Sequence, residues 1–126
     1  MRAIKAGFTS VMIDGSMLTY EENVALSKKV TELAHAANVT VEGEIGTIGA
    51  IGNSDEGGVD NITYTDPNEV VDFVTKTGVD CLAIAIGTAH GIYPKGYVPK
   101  LQLELLKEIK KVAPCTIGIT WWKIIS

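Results

Sequence analysis

Short apolar runs alternate with amphipathic stretches along the whole chain, and that alternation leaves few folds open. Phe8 to Ile13 is a β-prone run stopped by the turn signal Asp14-Gly15-Ser16. Glu21 to Ala37 has helical spacing, with Leu26, Val30, Leu33, Ala34 and Ala37 on one face. Glu21 and Glu22 suit the dipole of its first turn, and Asn38 closes it. Val39 starts a second strand that runs to about Glu44. Asp66-Pro67-Asn68-Glu69 opens a second helix, with Asp66 as cap, Pro67 at the first helical position and Glu69 at capping-box spacing. Val70, Val71 and Val74 are expected to face inward, and Gly78 ends the helix. Cys81 to Ile86 reads as a parallel strand covered on both faces. Leu101 to Val112 is a third helix, with Leu101, Leu105, Ile109 and Val112 on its buried side, and a β-prone tail begins at Cys115. Met1 to Gly7 reads as the last turns of a helix with Gly7 as its left-handed cap, so an element is expected to precede it.

Strands alternating with helices imply parallel pairing through right-handed crossovers. An open doubly wound sheet and part of a (β/α)8 barrel both satisfy this order. A complete barrel takes about 250 residues, against 126 here.

Composition narrows the function classes. A hydrophobic fraction of 46% is that of a globular domain with one core. Eleven basic against 15 acidic residues, a net charge of −4, provide no basic stripe for a nucleic acid. Cys81 and Cys115 fit neither a metal spacing nor a disulfide framework, which points to a reducing, cytoplasmic setting. No apolar run approaches the roughly 18–20 residues of a membrane span.

The polar residues are placed unevenly. Asp14 lies just past the first strand, Glu44 at the end of the second and His90 just past the third. In both architectures the carboxyl ends of the strands line the site. Each residue also has an ordinary role. Asp14 can serve a turn, and His90 can be a loop histidine. Glu44 follows Glu42 and Gly43, and if the strand is buried one of the two carboxylates needs a partner or a metal. His35 belongs to a helix surface. Asp55 and Glu56 lie in the glycine-rich loop Gly46–Thr63, where solvation suffices. Lys95, in the second glycine-rich loop Gly87–Gly96, is a phosphate contact or a loop cation.

The segments around these residues resemble class II, metal-dependent ketose-bisphosphate aldolases, which act on fructose or tagatose 1,6-bisphosphate. Gly7-Phe8-Thr9-Ser10-Val11-Met12-Ile13-Asp14-Gly15-Ser16 is similar to the segment at the family's fourth strand, and Glu21-Glu22-Asn23 opens the next helix as it does there. Val41-Glu42-Gly43-Glu44-Ile45-Gly46 resembles the fifth strand. Tyr64-Thr65-Asp66-Pro67 and Thr77-Gly78-Val79-Asp80 also match, and Ala83-Ile84-Ala85-Ile86-Gly87-Thr88-Ala89-His90-Gly91 resembles the sixth-strand signature. The likeness runs from residue 1 to about 112. It implies a partial (β/α)8 TIM barrel, about strands four to seven with their helices.

The resemblance also implies a chemistry. The family holds a catalytic zinc on three histidines, and His90 matches the second. Gly91 matches a backbone contact to the dihydroxyacetone-phosphate part of the substrate. Asp14 and Glu44 match carboxylates near the metal that hold a second divalent cation in some members. Zinc polarises the ketone and stabilises the enediolate left when the C3–C4 bond breaks. The expected partner is a phosphorylated ketose sugar, and a full-length enzyme is expected to be a homo-oligomer.

Departures from the pattern are equally informative. The family's Asp-His pair after the third strand is not in this sequence, nor is the Leu-His-Gly-Gly motif of its seventh strand. Gly52 stands where many members carry a mobile-loop glutamate, and Glu56 is the substitute acid/base candidate. The chain is therefore expected to be a central fragment of an aldolase, inactive alone. The competing expectation is a non-catalytic fragment of a decayed or mis-sequenced gene. A phosphate-binding open-sheet module is disfavoured, because Asp14-Gly15-Ser16 lacks the glycine run of such a site. Residues 113–126 are expected to be a frame-shifted tail. Shifted by one nucleotide, codons for Thr116 to Trp122 permit Pro-Leu-[Val/Ala]-Leu-His-Gly-Gly, provided Thr120 is encoded by ACA.

Overall fold

The computed structural model describes residues 2–47, 49–50, 62–90, 95 and 98–119. The elements, in chain order, are α1 (Arg2–Lys5), β1 (Ser10–Ile13), α2 (Tyr20–His35), β2 (Thr40–Ile45), β3 (Gly49–Ala50), α3 (Pro67–Thr77), β4 (Cys81–Ile84), β5 (Ala89–His90), α4 (Leu103–Val112) and β6 (Thr116–Ile119). The expected alternation is present, and β6 occupies the place where the β-prone tail calls for a strand.

Four strands form one sheet in the order β1-β2-β4-β6, with every pair parallel. The order advances in a single direction. Right-handed crossovers that keep advancing lay every connecting helix on the same face. In keeping with this, α2 packs on α3 and α3 on α4. A doubly wound sheet would reverse its order and place helices on both faces. The arrangement is the arc of a (β/α)8 barrel. A second, two-stranded parallel ladder pairs β3 with β5, Gly49 with Ala89 and Ala50 with His90.

Side-chain alternation divides the sheet into two surfaces. Val41, Ile45, Leu82 and Ile84 face the helices and join Val70, Phe73, Val74, Val79 and Ile109 in the core. Met12, Glu42, Glu44, Cys81, Ala83 and Gly118 alternate onto the opposite surface. Glu42 reaches across it, with Oε1 lying 2.8 Å from where a Cβ on Gly118 would be. The helix-facing surface is apolar, whereas the opposite one carries Met12, small residues and carboxylates.

Helix ends follow local chemistry. Thr19 and Glu22 make a complete capping box at α2, which the sequence reading missed. Asp66 caps α3 through Asn68 N–H, Pro67 takes the first turn, and Gly78 closes the helix at φ 72°.

The inward face of α2 is a correction. Its buried residues are Asn23, Ser27, Thr31 and Ala34, while Leu33 and Ala37 are exposed. The polar groups are satisfied locally, which is what allows them inside. Thr31 Oγ1 donates to the Ser27 carbonyl and Ser27 Oγ to Asn23 Oδ1. Two smaller corrections have the same cause, an apolar count that ignores which turn meets the sheet. In α3 the buried set is Val70, Phe73, Val74 and Thr77, with Val71 exposed; in α4, Ile109 is buried and Val112 exposed. Among the described residues, no helix is long and apolar enough to cross a membrane.

Candidate functional site

Asp14 and Glu44 lie at the carboxyl ends of neighbouring strands of the four-stranded sheet, and the backbone of His90 lies in the separate β3–β5 ladder that follows β4 in the chain. Asp14 follows the last residue of β1, Glu44 is the penultimate residue of β2, and His90 closes β5 beyond β4. Three successive βα units thus carry one candidate residue each at or after the carboxyl end of their strand, the side where ligands bind in such sheets.

Glu44 is the most unusual of the three. It is buried to 3% exposure and, by strand alternation, stands on the sheet surface opposite the one packed on α2, α3 and α4. Burial pushes its carboxyl up to about 7, and the charges of Asp14 and Glu42 add to the effect. Asp14 is exposed, and its Oδ1 accepts the Ser16 N–H at 2.9 Å, the turn role its sequence context allows. The Glu44 backbone carbonyl accepts from Asn23 Nδ2 at 2.8 Å. Thr88, two residues before His90, is 1% exposed, and among the described residues its hydroxyl has no hydrogen-bond partner.

The remaining candidates are distributed differently. The His90 backbone is described, but its side chain lies outside the described residues, as do Gly91 and Glu56. Lys95 is exposed. His35 is far from this edge of the sheet: it sits at the end of α2 and pairs with Asp80 at 2.8 Å. Burial opposes ionisation of Asp80, but the His35 hydrogen bond and the Val41 N–H together hold its carboxyl below the usual range. This cluster clamps the amino ends of β2 and β4.

The chemistry of the donors fits a divalent cation in part. Imidazole and carboxylate together suit zinc, and a cation beside Glu44 would relieve the repulsion from Asp14 and Glu42. Among the described residues, no three histidine, cysteine, aspartate or glutamate side chains converge as a metal would need.

Comparison with known proteins places this arrangement. The sequence pattern of the family described as fructose-bisphosphate aldolase class-II matches residues 1–120. A fructose-bisphosphate aldolase of Staphylococcus aureus is 53% identical over 107 residues, covering 85% of this chain and 36% of the relative. One from Treponema pallidum is 49% identical, covering 88% of this chain and 37% of its own length. The crystal structure of the YdjI aldolase from Escherichia coli K12 superposes with a TM-score of 0.74 at 32% identity, covering 93% of this chain and 38% of that one. The chain thus spans a little over a third of the curated relatives it matches.

Proposed function

The chain belongs to the class II fructose-bisphosphate aldolase family, and from that premise we propose that it supplies the central part of a zinc-dependent aldolase site. The reaction is the reversible cleavage of a ketose bisphosphate, fructose 1,6-bisphosphate in the first instance, to dihydroxyacetone phosphate and glyceraldehyde 3-phosphate. The observation that supports the proposal is that Asp14 and Glu44 stand at the carboxyl ends of β1 and β2, with His90 following β4 in the next βα unit.

His90 is the proposed zinc ligand, and Glu44 and Asp14 the carboxylates beside the metal, available to a second cation. Bound zinc supplies electrophilic stabilisation of the charge that develops on the substrate's carbonyl oxygen. Glu44, pushed up to about 7, can hold or release a proton near neutrality without a large change in its surroundings. Gly91 is proposed to contact the phosphorylated three-carbon portion through its backbone, Lys95 to meet a phosphate, and Glu56 to serve as the loop acid/base.

The test is a chimera in which residues 1–112 of this chain replace the matching segment of one of its curated relatives. The expected outcome is fructose bisphosphate cleavage that disappears with EDTA and returns with zinc. A folded chimera that binds zinc and cleaves nothing would contradict the proposal.

A further inference from the structure

Glu44 stands where the sheet comes apart. The β1–β2 ladder ends at Ile13 and Gly43, and the β2–β4 ladder at Ile45 and Ile84. Beyond those pairs the strand ends diverge, and the carbonyls of Glu44 and Ile45 would lose the partners a continuing ladder gives them. Two buried side chains take their place. On the β1 flank, Asn23 is 3% exposed, donates Nδ2 to the Glu44 carbonyl at 2.8 Å and accepts from Ser27 Oγ at 3.0 Å. Gly15, next to Asp14, rests on it so closely that a Cβ would lie 2.3 Å from Asn23 Oδ1.

On the β4 flank, Thr65 is 2% exposed. Its hydroxyl donates to the Ile45 carbonyl at 2.7 Å and accepts the Ala85 N–H at 2.9 Å, and its own N–H donates to the Ala85 carbonyl at 3.1 Å. Gly46 turns away directly after, at φ 77°, where a Cβ would lie 2.7 Å from Thr65 Oγ1. Both residues therefore fasten the backbone on either side of one carboxylate. Neither contact is needed to hold its own helix: Asn23 lies in the first turns of α2, and Thr65 precedes α3.

We propose that Asn23 and Thr65 are a pair of positioning residues that replace the missing ladder bonds at the end of β2 and so fix the direction of the Glu44 side chain. The role for Glu44 rests on the proposed metal site; the fastening itself does not. It also gives a purpose to Asn23 and Thr65, the members of the Glu21-Glu22-Asn23 and Tyr64-Thr65-Asp66-Pro67 segments that helix capping leaves unexplained. A side chain held this way meets a cation without first losing rotamer freedom, which is the benefit of a preorganised site.

Two readouts on the chimera with a curated relative test this: the Glu44 χ1 couplings by NMR without metal, and zinc affinity by competition with a chelator. Thr65→Val removes the hydroxyl at constant shape. It should let Glu44 average over rotamers and weaken zinc at least tenfold. Thr65→Ser should restore both. Thr77→Val is the control, because the Thr77 hydroxyl donates to the Phe73 carbonyl and accepts from the Val79 N–H, both at the end of α3 and away from Glu44. It should lower the melting temperature and leave Glu44 and zinc unchanged. Asn23→Ala gives an independent reading from the other flank. In the unsubstituted chimera the Ala85 amide should exchange slowly, and exchange at a free-loop rate contradicts the proposal without any variant. A single Glu44 rotamer surviving in both Thr65→Val and Asn23→Ala overturns it. If the unsubstituted chimera binds no zinc, the metal reading fails and the couplings still decide the positioning.

Discussion

Glu44 shows how one residue can carry a site and weaken a fold. Its carboxyl titrates near 7 in the folded chain against an ordinary value of 4.5, so between those pH values the folded state holds a proton that the unfolded chain releases. Stability from this group is therefore full below about pH 4.5, falls as the pH rises through 7 and levels off above it. The ceiling is on the order of 3 kcal/mol, reduced by whatever water reaches the carboxylate. Urea unfolding between pH 5 and 8 should show this decline, and Glu44→Gln should flatten it and gain about 1–2 kcal/mol at pH 8. Parallel curves for the two proteins would contradict the assignment. Glu44 and Asp14 were legible because a carboxylate beside glycine at a strand end is conspicuous. Asn23 and Thr65 were not, because a periodicity count assigns amides and hydroxyls to the outside. Only the coordinates show that Asn23, Ser27 and Thr31 point inward and satisfy one another.

The elements repeat that division. Strand and helix order follows from alternating apolar runs, and Gly78 and Asp66 punctuate α3 where their chemistry demands. Capping separates two cases that look alike in sequence. At α2 both arms of the box exist, Thr19 Oγ1 accepting from Glu22 N–H and Glu22 Oε2 from Thr19 N–H. At α3, Asp66 Oδ1 accepts from Asn68 N–H, and Glu69 contributes its backbone N–H to the Asp66 carbonyl. Asp66→Ala should thus cost about 1 kcal/mol and Glu69→Ala a few tenths, measured by thermal or urea unfolding; equal losses would mean a full box. β6 pairs Thr116–Ile119 with Cys81–Ile84, in register throughout. The proposal that residues 113–126 are read in a shifted frame is compatible with a strand there, since both frames encode β-prone residues. The DNA tests it: a Thr120 codon other than ACA rules it out.

At the scale of the whole molecule, the choice between an open sheet and a barrel arc could not be made from element order, because both alternate strand and helix. Strand order decided it. Among the described residues, β1 and β6 each have one unpaired edge, and Met12 is 46% and Ile119 38% exposed. Unpaired parallel edges seek partners. The 126-residue polypeptide prepared alone is expected to aggregate or to pair as two arcs, with no aldolase turnover. Light scattering and melting check this, and a monomer with a sharp, concentration-independent transition would contradict it. The central claim is that this arc carries a zinc ligand of an aldolase at His90. Its most direct test is His90→Ala in the chimera with a curated relative, measuring bound zinc and fructose bisphosphate cleavage on one preparation. Zinc and rate should fall together, the rate by orders of magnitude. One zinc per chain with a near-normal rate would contradict the claim.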